Sequence, residues 1–533
     1  MTSVSVSGPV PRPHLTQNWV INKPIARSTR GVVAAQHRVA AQVGADILAA
    51  GGNAIDAAVA TGFALASIEP WNSGLGGIGY MLIYLAKEQR VEVVDFGPVS
   101  PRSLDTRDYP LTGGTTTDLF TWPSVRDDRN VHGPMSATVP GVADGLGLAL
   151  ERFGSMPFGE ALAPAIALAE AGMPIDWFLT LKVATMAGEL VRYPSTKSIW
   201  LPNGLPPVTA AGASPGHLML TGLADTLRRL AIAGRRDLYD GEIAASIASD
   251  LKSLGGNLTR EDLRAYRARV VPPLECPYRD ARVFLAPGLT GGASMAEALH
   301  QLAAQRFTPS GPDAAAFITY AGVLRAAYAR RLQGMGEIKD ARDPGCTTHF
   351  NVIDRHGNMV AVTQTLLSVF GSKLVLPSSG ILMNNGIMWF DPAPGKPNSL
   401  GPDKRPLTNM CPVIVRRDGG PSFAIGASGG RKIFPAILQL TSMLVDHGLS
   451  LEAAFHQPRI DASGGEVVGV DPGLPQTTRD RLAAHFPIQL TEHLVYPTNF
   501  ACPSAVLDDP VTGERFGIGD VMSPWSGAIA ETD

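Results

Sequence analysis

The residues of this chain best suited to chemistry lie in the stretch Cys346-Thr347-Thr348-His349, which follows a Pro-Gly loop and opens a strand-like apolar run. A threonine hydroxyl is a poor nucleophile at neutral pH unless a base lies beside it, and one such base is the threonine's own α-amine. A free α-amine has a pKa of about 7.7–8.0, so it can accept a proton near neutrality. Thr347 acquires that amine only if the bond between Cys346 and Thr347 is cut. The sequence therefore predicts a precursor that cleaves itself at this bond.

Other interpretations of the same stretch are open at this level. Threonine is β-branched and common in strands, so Thr347 could serve only to favour extended backbone. Thr348 is a rival nucleophile, but it comes one residue later and points to the opposite face of a strand. Cys346 and His349 have a spacing that zinc ligands show, yet no second pair accompanies them, so no metal site is expected.

The elements that must position these residues change in character along the chain. Helical periodicity covers 35–50 and ends at a Gly-Gly pair, and Asn53 is placed to cap a second helix that ends at Pro70. The segments MLIYL and VEVVDF read as strands, and 140–332 reads as mostly helical. After Thr347, three pairs of strand-like runs joined by short polar turns predict three hairpins, and a helix follows Gly429-Gly430. This order predicts an α+β fold with two sheets between helical layers, an αββα sandwich.

A glycine-rich loop at 74–79 matches the dinucleotide-binding pattern G-x-G-x-x-G. That pattern requires a strand before the glycines and a helix after them, whereas here a helix precedes and a strand follows. The sequence therefore favours a loop in which backbones pass closely, and no nucleotide cofactor is expected.

Composition narrows the class of protein. The 533 residues carry a formal net charge of −3, with 45% hydrophobic residues, which is typical of a soluble enzyme. No basic run favours a nucleic acid or a membrane as partner, and the longest apolar stretch is too short to span a bilayer. The cysteines show no paired spacing and the N-terminus has no signal-peptide pattern, so a cytoplasmic protein without cofactors is expected.

Several motifs, in a consistent order, resemble the γ-glutamyltransferases, also called glutathione hydrolases. The family's large subunit is similar to the segments GGNAIDAAVA, NSGLGGIGYMLIY and TVPGVADGLGLALERFG, and its small subunit to TTHFNVIDRHGNMVAVTQTL, SSGILMNN, GPDKRPLTNMCPVIV and GASGGRKI. The resemblance implies an N-terminal-nucleophile hydrolase with a four-layer αββα sandwich, autocatalytically cleaved. It implies a flexible arm over 1–30, a mostly helical large subunit over 31–346 and a small subunit over 347–533. The two chains would pair as a heterodimer, with higher assembly left open, and act on a small-molecule amide.

The resemblance also assigns catalytic roles. It makes Thr347 the nucleophile and Thr365 the threonine whose hydroxyl contacts and orients it. It makes the backbone N–H groups of Gly429 and Gly430 the oxyanion hole. Glycine suits that task because no side chain blocks the approach, and the pair also opens a helix, whose N-terminus stabilises negative charge.

The chain departs from the family where the donor's amino-acid head is bound. The family uses an arginine, an asparagine, a glutamine, an aspartate and two serines; the corresponding residues here are Gly97, Leu367, Gly386, Trp389, Thr408 and Asn409. A site that has lost its charged partners binds a zwitterion poorly, whereas Leu367 and Trp389 suit an apolar or aromatic acyl group. Trp389 could equally be a core residue. The segment 397–402 is also too short for the family's lid, which predicts a more open cleft.

Three functions are consistent with these residues. The first is an autoprocessed amidohydrolase or acyltransferase with a non-glutamyl donor. The second is a genuine γ-glutamyltransferase that holds the donor head with other residues. The third is an unprocessed, inactive relative that acts as a binding protein.

Overall fold

The structure, a computed structural model, describes residues 21–116, 120, 122–309, 311–333, 345–463, 465–491 and 499–532. Fourteen of its strands form two seven-stranded sheets. In chain order they are β1 Ala26–Ser28, β2 Val32–Ala35, β3 Ile78–Leu85, β4 Arg90–Phe96, β5 Arg269–Val271, β6 Leu274–Tyr278, β7 Ala281–Leu285, β8 Gly345–Ile353, β9 Met359–Ser368, β10 Val413–Arg417, β11 Ser422–Ser428, β12 Cys502–Asp509, β13 Glu514–Gly519 and β14 Gly527–Ala530.

Both sheets are antiparallel. Sheet I has the order β14-β2-β8-β9-β3-β4-β5, and sheet II has the order β1-β13-β12-β11-β10-β7-β6. Shorter strands lie outside them, at Leu111–Thr115, Pro123–Val125, Met173–Pro174, His217–Leu218, Ile460–Asp461, Val468–Val470 and Ile488–Leu490.

The helices form the two outer layers. They are α1 Arg38–Ala49, α2 Ala54–Ile68, α3 Val142–Phe153, α4 Phe158–Ala171, α5 Trp177–Leu190, α6 Pro194–Trp200, α7 Leu223–Ala233, α8 Asp237–Asp240, α9 Glu242–Ser253, α10 Arg260–Ala265, α11 Gly292–Ala303, α12 Ala314–Gln333, α13 Ile433–Val445, α14 Leu451–His456 and α15 Gln476–Ala483. None of the described helices is long and apolar enough to cross a bilayer.

Three buried apolar clusters define the layers. Helices α1–α5 pack on the outer face of sheet I, and α11–α14 pack on the outer face of sheet II. A third cluster fills the space between the two sheets. Alternate residues of each central strand therefore enter different clusters, as pleated geometry requires. The αββα sandwich expected from the sequence is confirmed.

The structure also corrects details of the expected elements. All three hairpins are present, as β8–β9, β10–β11 and β12–β13. Helix α1 begins at Arg38, because 32–35 pairs with the end of β8 as a strand. The interval expected to be mostly helical contains β5, β6 and β7, whose exposed charged residues masked their apolar alternation. Of the arm expected over 1–30, residues 1–20 lie outside the described residues, and 26–28 pair with β13.

Candidate active site

The candidate nucleophile lies on a central strand, at a break in regular pairing. Strand β8 lies between β2 and β9 in sheet I. Cys346 pairs with Leu367 and Thr348 pairs with Gln364, so two residues of β9 lie opposite Thr347. Such a bulge bends the strand and redirects side chains. The described chain is continuous through the Cys346–Thr347 bond, although the Cys346 side chain lies outside what the structure describes.

The bulge brings two of the expected catalytic residues together. The Thr347 hydroxyl lies 3.3 Å from the Thr365 hydroxyl and donates to it. Thr365 in turn accepts a hydrogen bond of 2.8 Å from the Leu367 amide, which fixes its side chain. Thr347 is 6% exposed and Thr365 is fully buried. The Thr347 hydroxyl is therefore held in a nearly buried position by Thr365.

The neighbouring Thr348 and His349 do not share this position. Thr348 points to the helical layer, where its hydroxyl donates to the Glu69 carboxylate at 3.0 Å. The two His349 ring nitrogens lie 2.9 Å from the Thr363 hydroxyl and 3.0 Å from the Asn351 amide oxygen. Burial lowers the pKa of His349 to about 3, so its ring is neutral. His349 is therefore a structural residue of the sheet interior and not the base for Thr347.

The two candidate oxyanion-hole glycines occupy backbone conformations that other residues avoid. Gly429 has φ 131° and Gly430 has φ 56°. A Cβ at Gly429 would lie 2.8 Å from the Ala501 Cα. The 3₁₀ turn Gly430–Lys432 leads into α13 and contacts β8. Free backbone N–H groups at such a helix start can stabilise a negative charge beside the nucleophile's strand.

The position of the family's donor-binding arginine is closed to any side chain. A Cβ at Gly97 would collide with the Tyr80 hydroxyl. That hydroxyl lies beside the Thr408 side chain, and burial raises the pKa of Tyr80. Nearby cations are also occupied, since Arg405 donates to Asp95 at 2.9 Å. Tyr80 therefore fills the space in which an arginine from position 97 would begin.

The other donor-binding positions are apolar. Leu367 and Trp389 are 2% and 3% exposed, and both belong to the cluster between the sheets that also contains Tyr80. Leu367 has φ 84°, a conformation in which asparagine is more common than leucine. Gly386 opens the 3₁₀ turn that carries Trp389, and a Cβ there would collide with the Thr138 hydroxyl. An apolar wall thus replaces a polar one.

Thr408 and Asn409 retain the polar side of the site. The Thr408 hydroxyl donates to the Leu289 carbonyl at 3.2 Å. Buried Arg331 donates to the Asn409 amide oxygen at 3.2 Å and also to the Thr408 carbonyl. The Asn409 Nδ2 group is buried and has no hydrogen-bond partner among the described residues. It is a buried donor next to the Arg331 cation, unpaired within the part of the chain that the structure describes.

A short turn stands where the family has a lid. Asn398 donates to the Trp389 carbonyl at 2.6 Å and accepts from the Leu407 amide at 3.0 Å, which closes the turn onto the site wall. A cleft of about 470 Å³ opens beside it. The cleft is lined by Val99, Ser100, Arg102, Val139, Asp262, Ala265, Tyr266, Arg267, Leu289, Asp403, Lys404 and Arg405. Leu289 lines the cleft and its carbonyl accepts from Thr408, so the cleft borders the polar residues of the candidate site.

Sequence reasoning did not identify three residues of this site. Tyr80 lies in a strand whose sequence pattern is ordinary, and Arg331 lies in the last turn of α12, so neither residue type nor position indicated a role for them. Glu69 carried a detectable signal, because an acidic residue directly after a buried apolar helix is unusual. None of the three could be placed beside its partner without knowledge of the strand order.

Comparisons with known proteins give the family of the chain and support its fold. The gamma-glutamyltranspeptidase family model matches residues 40–344 and 333–492. The acylase ACY 1 proenzyme of Pseudomonas sp. (strain SE83) is 32% identical over 516 residues, 90% of each chain. The glutathione hydrolase proenzyme of Escherichia coli (strain K12) is 32% identical over 484 residues, 81% of each chain. The cephalosporin acylase structure from Bacillus halodurans superposes with a TM-score of 0.84 at 25% identity, covering 98% of this chain and 100% of that one.

The glycine pair generates the first testable prediction. Gly430→Ala introduces a side chain at φ 56°, which displaces the backbone donor, so we expect kcat to fall by about 10²–10³-fold. The matched control is Gly448→Ala, since Gly448 has φ 65° and no described atom near an added Cβ. Both variants should lose about 1 kcal/mol of unfolding free energy through strain. Kinetics on the processed protein, with thermal unfolding beside it, measure both effects; wild-type kcat in Gly430→Ala would remove the pair from the reaction.

Proposed function

Because this chain belongs to the gamma-glutamyltranspeptidase family, whose compared members include acylases and glutathione hydrolases named as proenzymes, we propose that it is an autoprocessed amide hydrolase or acyltransferase. Thr347 is its N-terminal nucleophile, and its acyl donor is not a γ-glutamyl group. Its substrate is a small-molecule amide. The prediction of a cytoplasmic location rests on the sequence alone and stays a prediction.

Autoprocessing is possible because the Thr347 hydroxyl belongs to the residue that directly follows the bond to be cut. The oxygen attacks the Cys346 carbonyl carbon, the C–N bond breaks, and the nitrogen takes a proton, so the amide becomes an ester with a free α-amine. Water then hydrolyses the ester and releases the carboxyl end of 1–346. The contact with Thr365 supports this step, because it orients the attacking oxygen before the chain is cut.

The same oxygen then serves the mature enzyme. The freed α-amine takes the hydroxyl proton while the oxygen attacks the substrate carbonyl, and the amide N–H groups of Gly429 and Gly430 stabilise the tetrahedral oxyanion. The amine passes its proton to the departing nitrogen, which leaves an acyl-Thr347 ester. Water or an acceptor amine removes the acyl group by the reverse sequence.

The apolar wall is the observation that carries the choice of donor. A γ-glutamyl head presents an ammonium and a carboxylate, and burying either without a partner costs several kcal/mol. Leu367 and Trp389 offer neither charge nor hydrogen-bonding capacity of the required kind, and Tyr80 closes the route from position 97. An uncharged acyl group needs no such partners, so the absence of charged and amide side chains at these positions does not penalise its binding.

One observation favours the second candidate, a γ-glutamyltransferase with a rearranged donor site. The Asn409 Nδ2 donor has no described partner and lies beside the buried cation of Arg331. Together they could receive a carboxylate. They supply no anion for the ammonium, however, so this arrangement accommodates half of the glutamyl head.

Replacement of the nucleophile tests processing and turnover together. We expect Thr347→Ala to remain one intact chain and to show no amidase activity, because both steps use the same oxygen. Thr347→Ser keeps a hydroxyl and an α-amine, so it should cleave and turn over at a reduced rate. Denaturing gels and intact-mass measurements check this, with the smaller fragment beginning at residue 347. Full turnover by Thr347→Ala, or an active wild-type protein that is never cleaved, would contradict the proposal and favour a binding protein.

Donor preference is tested with matched anilides. We expect kcat/KM for phenylacetyl- and hexanoyl-p-nitroanilide to exceed that for γ-glutamyl-p-nitroanilide by about 10²-fold or more, the cost of an unpaired buried charge. Leu367→Asn should lower turnover of the apolar donors without producing an efficient γ-glutamyl enzyme, since Tyr80 still closes position 97. Leu367→Met, which keeps size and polarity, serves as its control. Faster γ-glutamyl release by the wild type would establish the rearranged donor site instead.

A further inference from the structure

Glu69 is a buried carboxylate that the reaction described above does not use. It follows the last residue of α2 and is 4% exposed. Both of its oxygens are engaged: Oε2 accepts from the Thr348 hydroxyl at 3.0 Å, and Oε1 accepts from the Asn72 side-chain amide at 2.7 Å. A carboxylate kept away from water needs such partners, so this arrangement is a built cluster in the fold.

The cluster reaches both strands of the catalytic bulge. Thr348 directly follows the nucleophile on β8. The backbone carbonyl of Asn72 accepts from the Leu366 amide at 2.9 Å, and Leu366 directly follows Thr365 on β9. Leu366 is one of the two residues opposite Thr347, where the ladder is irregular. The bulge leaves the Leu366 amide without a partner in the strand ladder, and the Asn72 carbonyl accepts its hydrogen bond. The same loop, through Glu69, also binds Thr348, the residue after the proposed nucleophile.

This connection matters most after cleavage. In the continuous chain, Gly345 and Cys346 extend β8 beyond Thr347 and pair with β9. Once the bond is cut, Thr347 becomes the first residue of the strand and loses covalent support on that side. Ends of strands fray unless something holds them. Thr348 is then the first residue with regular pairing, and its side chain is held by Glu69.

Resting on the proposed function, we propose that Glu69 is a positioning residue for the mature nucleophile. Through Thr348, and through Asn72 and Leu366, it holds the strand end of Thr347 against Thr365 at the bulge. It touches neither substrate nor the attacking oxygen, so it acts by fixing the geometry in which the α-amine and hydroxyl of Thr347 meet the substrate carbonyl.

Ionisation of Glu69 gives this role a pH dependence. Burial raises the pKa of Glu69 to about 7, opposed by the Thr348 and Asn72 hydrogen bonds and by the Lys182 charge. Among the described residues, two ionisable groups interact electrostatically with the Glu69 carboxylate. Lys182 of α5 lowers the pKa of Glu69. The Cys502 thiol of β12 is neutral, because burial raises its pKa. Above pH 7 the carboxylate is a charged acceptor and holds Thr348 strongly. As pH falls through 7 it takes up a proton and that hold weakens, so kcat should fall.

The amine of Thr347 titrates in the same region. A free α-amine has a pKa of about 7.7–8.0 and must be neutral to accept the hydroxyl proton. The acid limb of the wild-type kcat profile should therefore reflect two protons, one on Glu69 and one on the amine. Replacing Glu69 by glutamine removes one of them. It also removes a negative charge near the α-ammonium, which lowers the amine pKa and moves the remaining limb to lower pH.

The experiment uses the processed enzyme with the best anilide donor. Glu69→Gln has no negative charge and only one acceptor oxygen, so the charge-assisted hydrogen bonds from Thr348 and Asn72 are both replaced by weaker neutral ones, and the Thr348 hydroxyl must accept rather than donate if both contacts persist. We expect kcat above pH 8 to fall by about 10-fold, KM to change by less than about 2-fold, and the acid limb to become a one-proton limb. Thr348→Val should give a similar loss of kcat, whereas Thr348→Ser, which retains the hydroxyl, should recover most of it. The double variant should lose no more than the worse single variant, as coupled residues do.

A control separates positioning from general destabilisation. Asp56 is a fully buried carboxylate at the opposite end of α2, where it caps the helix with Asn53. Asp56→Asn should lower the melting temperature and leave kcat and the pH profile of the processed molecules unchanged. If Glu69→Gln fails to process, comparison of Thr348→Val with Thr348→Ser tests the same Thr348–Glu69 hydrogen bond.

The outcomes are distinguishable from those for the nucleophile. Two results would overturn the positioning role while Thr347→Ala remained inactive. One is a wild-type kcat with a two-proton acid limb in Glu69→Gln. The other is strict additivity of the losses in kcat caused by Glu69→Gln and Thr348→Val. If Thr347→Ala is itself active, the proposed function fails, and any effect of Glu69 then concerns another reaction. A loss shared equally by Asp56→Asn would assign Glu69 to stability alone.

Discussion

The bulge between β8 and β9 is the constraint on which the rest of the site depends. Regular pairing would place one residue of β9 opposite Thr347, whereas the observed register places Thr365 and Leu366 there. The Thr365 hydroxyl then meets the Thr347 hydroxyl, and the Leu366 amide turns to the Asn72 carbonyl in the helical layer. A bulge in a central strand is tolerated only where neighbouring elements satisfy the displaced backbone groups. The helix–strand loop after α2 does this here.

The two faces of β8 divide the tasks of the site. The inner face, between the sheets, carries Thr347 and neutral His349, and it meets sheet II at Gly426 and the glycine pair beyond it. The outer face carries Thr348 and meets Glu69. Because successive residues of a strand point to opposite faces, nucleophile and support can be adjacent in sequence without competing for space. Thr348 therefore lies on the face opposite the proposed nucleophile and is held there by Glu69.

The candidate donor region combines restrictive backbone positions with apolar neighbours. Leu367 keeps a backbone conformation that suits asparagine, and Gly97 and Gly386 lie where neighbouring hydroxyl groups leave no room for a side chain. Tyr80 and Trp389 fill the space around these positions as members of the apolar cluster between the sheets. These packing constraints are the physical basis of the proposed change in acyl donor.

The sequence by itself determined the layered fold, the three hairpins and the family, because these depend on local periodicity, turn residues and motif order. The catalytic roles of its threonines and glycines stay a prediction. It also indicated that the donor site is altered. Only the tertiary structure decided that Tyr80 fills the position beside Gly97, that Trp389 packs in the core between the sheets, and that Glu69 meets Thr348. The Glu69–Thr348 contact joins residues 279 positions apart, and all three arrangements follow from strand order and register. The sequence pattern did not reveal the strands β5–β7, because their stability comes from neighbouring strands in the sheet rather than from their own residues.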